Sequence, residues 1–208
     1  MAGVARALAA ALLALGLAAA PAAADDAVVC RDQGAPGSER VAACSRLIDS
    51  GAATGAGLPE AYLNRGRANQ ALTRYEQALA DYDQVIRLDP ASFPAHVNRG
   101  NTHFLLKHHD RALADLSRAI ALAPTDSRPY SNRAAVYYDL GRYAEAVADC
   151  DRALALAPRD VHAHYNRGLA YLRLGRRDDA VRELRAALSA DPDFAPARDW
   201  LRSLGLTP

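Results

Sequence analysis

Prolines fall at Pro90, Pro124, Pro158 and Pro192, each 34 residues after the last. Four other columns keep the same step. They are Ala78, Ala112, Ala146 and Ala180; Gly66, Gly100, Ala134 and Gly168; Asn64, Asn98, Asn132 and Asn166; and the arginines that follow those asparagines, Arg65, Arg99, Arg133 and Arg167. Five columns in register over four copies restrict the chain to a repeat architecture, in which each unit buries its apolar face against its neighbours.

Each copy reads as two helices. The first opens near Pro59, Pro94 or Pro129 in three copies, where a missing N–H costs nothing. Breaks are expected at Thr73-Arg74, Lys107-His108, Gly141-Arg142 and Gly175-Arg176. The second helix carries an apolar stripe from Ala78, Ala112, Ala146 and Ala180 through Tyr82, Leu116, Cys150 and Leu184 to Ile86, Ile120, Leu154 and Leu188. The spacing i, i+4, i+8 is that of a helix face, and the recurring proline stops it. Small residues should let the two helices cross closely, with Gly66 facing Ala78.

These residues resemble the tetratricopeptide repeat. Copy three supplies Tyr130, Ala134, Tyr137, Gly141, Ala146, Cys150, Ala153 and Pro158; copy four supplies His164, Gly168, Tyr171, Gly175, Ala180, Leu184, Ala187 and Pro192. Asn69 and His103 depart from the pattern, replacing the aromatic of the first helix, so looser packing is expected there. The resemblance covers roughly residues 59–192. It implies an all-α, right-handed α-solenoid of about four 34-residue helix-turn-helix repeats with capping helices. The repeats would span residues 59–92, 93–126, 127–160 and 161–194. An N-terminal half-repeat cap and Gly/Ala/Thr linker would occupy residues 25–58, and a C-terminal capping helix residues 195–208. The caps shield the apolar ends of the array.

The first 24 residues differ from the rest. One positive charge precedes the leucine-rich run of residues 7–17, and Pro21 and three alanines lead into Asp25-Asp26. This is the pattern of a secretory signal peptide cleaved after Ala24. The run is shorter than the ~20 residues a membrane span needs. The expected destination is the periplasm or the exterior. Export permits disulfides, and Cys30 and Cys44 precede the repeats. They are either a bridge, closing a loop of about 15 residues and adding ~3 kcal/mol, or two free thiols with Cys44 buried; export favours the bridge.

The sequence holds 25 basic and 24 acidic residues. No field of one sign is available to gather nucleic acid or acidic lipid. No GxSxG, GxxxxGK or HExxH occurs. His162 and His164 point to different sides of a helix, His108-His109 sit at a break, His103 reads as a packed residue and Cys150 lies on a core stripe. No catalytic residue, metal site or cofactor is expected.

By the resemblance, the first helices line a concave groove. They would present Asn64, Asn98, Asn132 and Asn166, whose amides can donate to and accept from a peptide backbone, similar to an asparagine ladder in another member of the family; alternatively these amides bond to the next repeat or to water. Asn101, Phe104, Tyr138 and Tyr165 would line the same groove and set selectivity. The family's two-carboxylate clamp is absent, because Leu63, Val97 and Ser131 stand at its positions. Arg65, Arg99, Arg133 and Arg167 recur with Asp81, Asp115, Asp149 and Glu183, which reads as a bridge between paired helices or as an anion-binding row. The expected partner is a protein or peptide, held by a non-catalytic scaffold. The alternatives are an enzyme with an undeclared site and a self-assembling structural protein that pairs through solenoid ends near Trp200.

Overall fold

The computed structural model describes residues 19–207, with side chains from residue 23 onward. Most of the expected signal peptide therefore lies outside the described residues. Those described form eleven α-helices and no strand. The described residues divide into two compact units, one ending at residue 95 and the other beginning at residue 96.

The first unit contains α1 (Ala19–Arg31), α2 (Gly37–Asp49), α3 (Gly57–Ala71) and α4 (Tyr75–Leu88). Its N-terminal part is a full helix pair. The stripe on α2 that resembles a lone second helix packs on α1, and Cys30, Ala43, Cys44, Leu47 and Ala61 form one buried cluster between α1, α2 and α3. The Cys30 and Cys44 sulfurs stand 2.06 Å apart, at disulfide distance. Asp26 accepts hydrogen bonds from Arg46 Nε and Nη2 on the same pair. Cleavage after Ala24 would fall inside α1 and leave residues 25–31 held by both links.

The unit boundary falls in the first turn of α5 (Phe93–Leu105), and the rest of α5 belongs to the second unit. That unit continues with α6 (His109–Leu122), α7 (Arg128–Asp139), α8 (Tyr143–Leu156), α9 (Val161–Arg173), α10 (Arg177–Ala190) and α11 (Ala195–Ser203). α11 covers the end of the stack by burying Ala197 and Leu201 against Leu184 and Ala187.

The helix ends follow one rule. At each break the backbone N–H after the left-handed residue reaches back five positions: Arg74 to Asn69, His108 to His103, Arg142 to Tyr137 and Arg176 to Tyr171, at 2.8–2.9 Å. The residue that turns has positive φ, 73° at Gly141 and 75° at Gly175, but also 58° at Thr73 and 61° at Lys107. Glycine adopts this geometry freely and the other two do not.

The close crossing of each pair differs from the expected Gly66–Ala78 contact. A Cβ placed on Gly66 would lie 2.6 Å from Tyr82 Cε1, and one on Gly100 would lie 2.9 Å from Leu116 Cγ; on Gly168 the nearest side-chain atoms include Leu184 Cγ at 3.3 Å. The glycine makes room for the large residue sixteen positions on. Where that residue is the smaller Cys150, alanine is tolerated at Ala134, and the two share one buried cluster. Ala78 is itself fully buried.

Candidate functional site

Within each unit the first helix of a pair packs on both helices of the pair before it: α3 on α1 and α2, and α9 on α7 and α8. Among the described residues the second helices within each unit have no comparable contact with each other, so the first helices form the inner row of each stack.

All four arginine–acid pairs form. Arg65 donates to Asp81, Arg99 to Asp115 and Arg133 to Asp149, each at 2.7 Å at closest, and Arg167 donates to Glu183 at 2.9 Å. The three aspartates are buried, so these are not the exposed pairs that charge pattern alone suggests. In the first three the carboxylate meets Nε and Nη2, the side-on edge of the guanidinium. The remaining edge reaches the second helix of the preceding pair: Arg65 Nη1 donates to Ser45 Oγ at 3.1 Å, Arg133 Nη1 to Ser117 Oγ at 3.0 Å, and Arg167 Nη1 to Asp151. One side chain thereby ties three helices together, which favours the bridge over the anion row.

Three first-helix residues complete these networks. Asn69, which departs from the aromatic pattern, donates to Asp81 Oδ2 at 3.1 Å. His96 Nδ1 lies 3.0 Å from Asp115. His164 Nδ1 lies 2.8 Å from Glu183 and its Nε2 3.1 Å from the Pro158 carbonyl. Both partners of His164 are acceptors, so the ring satisfies both only when doubly protonated. The bond to Glu183 raises its pKa above the ordinary value, against the opposing effect of burial. His103 is shifted the other way, lowered by burial.

The expected groove residues fall into different settings. Asn64 is buried and lines a 330 Å³ pocket in the first unit with Cys30, Leu47 and Glu60. Asn98 is half-buried, and its enclosed Nδ2 has no hydrogen-bond acceptor. Asn132 and Asn101 are half-buried. Asn166 Nδ2 donates to the Ser131 carbonyl at 3.2 Å, tying α9 to α7. Phe104 packs beside Ala112, Leu116 and Val136, which makes it partly a core residue. Tyr138 takes a hydrogen bond from Arg173 Nε at 3.3 Å. Tyr165 packs edge-on to Phe194 at 5.3 Å, and Trp200 on α11 is 37% exposed.

Sequence reasoning passed over Arg40. It lies four residues before Cys44 and seven before Leu47 on α2. A lone arginine on that apolar stripe was the available signal.

Among the described residues no helix is long and apolar enough to cross a membrane, and no group of His, Cys, Asp and Glu is placed to hold a metal ion. Cys150 is a buried free thiol, pushed up by burial.

Helix pairs at a 34-residue step, closed by the same turn and joined by the same arginine, define a helical-repeat protein. The chain belongs to the tetratricopeptide-repeat family: profiles described as tetratricopeptide repeat match residues 61–127 and 161–194, and one described as TPR repeat matches residues 134–175. None of the curated proteins matches the chain. Among solved structures, MamA 41-end from Desulfovibrio magneticus RS-1 is similar at 21% identity, covering 83% of this chain and 94% of that one, with a TM-score of 0.70. A MamA crystal structure is similar at 23% identity, covering 76% and 91%, TM-score 0.65. YrrB, described as a TPR protein with an unusual peptide-binding site, is similar at 20% identity, covering 82% and 84%, TM-score 0.63. At these identities the likeness is one of fold.

Proposed function

We propose that the chain is a non-catalytic interaction module of the cell envelope that holds a peptide or protein segment on its first-helix row. In this reading the signal peptide is cleaved after Ala24 and Cys30 and Cys44 are oxidised. The observation that carries it is the division of labour between helix faces. The arginine–acid networks and the second-helix stripes hold the stack together, while the inner row keeps half-buried polar and aromatic groups. Asn98, with an amide lacking an acceptor, and half-buried Asn101 and Asn132 are of this kind. A peptide backbone supplies acceptors and donors to such amides. The printed description of YrrB gives a precedent for peptide binding by this fold.

Several features support a role without catalysis. Cys150 is enclosed, and His164 is committed to Glu183 and Pro158. A second reading, self-assembly through the end of the stack, draws on the exposed edge of Trp200 on α11.

The test is affinity capture from envelope extract with the chain and with an Asn98→Ala/Asn132→Ala variant. A partner retained by the first and lost by the second, with unchanged helical content, supports the reading. Equal capture by both contradicts the asparagine row, and capture of the chain by itself favours self-assembly.

A further inference from the structure

The link from α2 to α3 runs over residues 50–56, whereas that from α8 to α9 covers only 157–160 and that from α10 to α11 only 191–194. Ala52, Ala53 and Thr54 of this longer link form one wall of the 330 Å³ pocket in the first unit. Ala27 and Cys30 of α1, Leu47 of α2 and Ala61 of α3 extend its apolar lining. Small-molecule sites occupy about 300–1,000 Å³ and combine such a lining with a few polar groups.

Three polar groups border the pocket without partners. Asn64 is only 6% exposed, and its amide makes no hydrogen bond among the described residues. A buried amide left so is costly to the free protein. Glu60 stands one turn before Asn64, on the same face of α3. Arg31 closes α1, outside the repeated columns. Glu60 and Arg31 are exposed, and neither enters an ion pair or a side-chain hydrogen bond. Two opposite charges at the mouth of one pocket, unpaired with each other, suit a small molecule that carries both. Cleavage after Ala24 would take Ala23 and Ala24 out of the lining and widen that side, but Arg31, Thr54, Glu60 and Asn64 all lie beyond the cut.

We propose that this pocket binds a free aliphatic amino acid. The Glu60 carboxylate and the Asn64 amide oxygen accept from its α-ammonium group, and the Arg31 guanidinium donates to its α-carboxylate. Its side chain lies against Leu47, Ala53 and Ala61. A residue within a chain carries neither backbone charge, so the site selects a free molecule rather than a partner segment. It goes beyond the inner-row reading and does not depend on it.

Calorimetric titration of the chain as the cell processes it tests this with three compounds. They are L-leucine, 4-methylpentanoate, which lacks the ammonium, and 3-methylbutylamine, which lacks the carboxylate. Leucine should bind at least about tenfold more tightly than either analogue, since each loses a bond between charged groups. Glu60→Gln and Arg31→Gln, both at exposed positions, should each weaken leucine binding by at least about tenfold with unchanged helical content. Glu76→Gln, in the exposed first turn of α4 and not part of the lining, should change it less than twofold. No binding of leucine at millimolar concentration, equal binding of the three compounds, or leucine binding unchanged by Glu60→Gln or by Arg31→Gln overturns the proposal.

Discussion

Gly66 and Tyr82 share one volume: the glycine leaves its Cβ position empty and the tyrosine ring fills it, so that an added methyl would stand 2.6 Å from Cε1. The ring cannot easily retreat, because its hydroxyl is bonded to Gln70. Alanine is the better helix former by about 1 kcal/mol, but overpacking costs about 1–3 kcal/mol. Gly66→Ala should therefore destabilise by about 1 kcal/mol in chemical denaturation. In a Tyr82→Cys background, which imitates the Ala134–Cys150 pairing, the same methyl should cost less or stabilise. Strict additivity in the double-mutant cycle would contradict the shared-volume account.

The turn residues Thr73 and Lys107 occupy the left-handed region where the later copies have Gly141 and Gly175. That conformation costs a residue with a Cβ about 1–2 kcal/mol, offset in part by the extra freedom of an unfolded glycine. Thr73→Gly should stabilise by roughly 0.5–1 kcal/mol, and Gly175→Ala should destabilise by about as much. Thermal melts of the two variants check both signs.

Arg133 joins α7 to Asp149 on α8 and to Ser117 on α6. Its removal leaves a buried carboxylate without its charge partner. Arg133→Met should cost about 2 kcal/mol without any ligand, given that bonds to charged groups contribute about 1.5–3 kcal/mol. Ser117→Ala should cost well under half of that. An Arg133→Met chain as stable as wild type would return the arginine row to a ligand-binding role.

His164 and Glu183 give stability a pH dependence of known sign. The folded pKa of His164 lies above its ordinary 6.5, chiefly through the Glu183 bond. Its contribution is therefore fully present below pH ~6.5 and is lost as pH rises through the folded pKa. His103, lowered by burial, acts oppositely and destabilises as pH falls through its own folded pKa. His164→Tyr, which copies Tyr130 at the same repeat position, should remove the alkaline-side loss and leave the acid-side one. Imidazole proton shifts of the two histidines, followed by NMR, should titrate on opposite sides of 6.5.

The Cys30–Cys44 link ties α1 to α2, where Asp26 and Arg46 supply the other polar tie. If the pair is oxidised, reduction should destabilise the first unit by ~3 kcal/mol on the loop-entropy account. Cys30→Ser/Cys44→Ser should match the reduced protein and be insensitive to reductant. Free-thiol counting under denaturing conditions decides the starting state.

Much of the fold was legible because repetition multiplies a weak signal. One glycine or arginine says little, but Arg65, Arg99, Arg133 and Arg167 in register with their acids imply a contact, and all four contacts are present. Features lying between columns were harder to read. The partner of Gly66 is sixteen residues away, not twelve, and only the side-chain volumes of Tyr82, Leu116 and Leu184 against Cys150 reveal it. Helix α1 has a single copy, and its alanines overlap the pattern of a signal peptide. Arg40 is likewise unrepeated. Burial of Asp81 and Asp115 depends on packing from neighbouring helices, which charge pattern does not encode.

Hydrogen exchange on the chain alone and on the captured complex tests the central claim most directly. The account predicts added protection on the inner row of the second unit, α5, α7 and α9, centred on Asn98, Asn132 and Tyr138, with α6, α8 and α10 little changed. Protection confined to the second helices, or to α11 around Trp200, would contradict it and place the partner on a different surface.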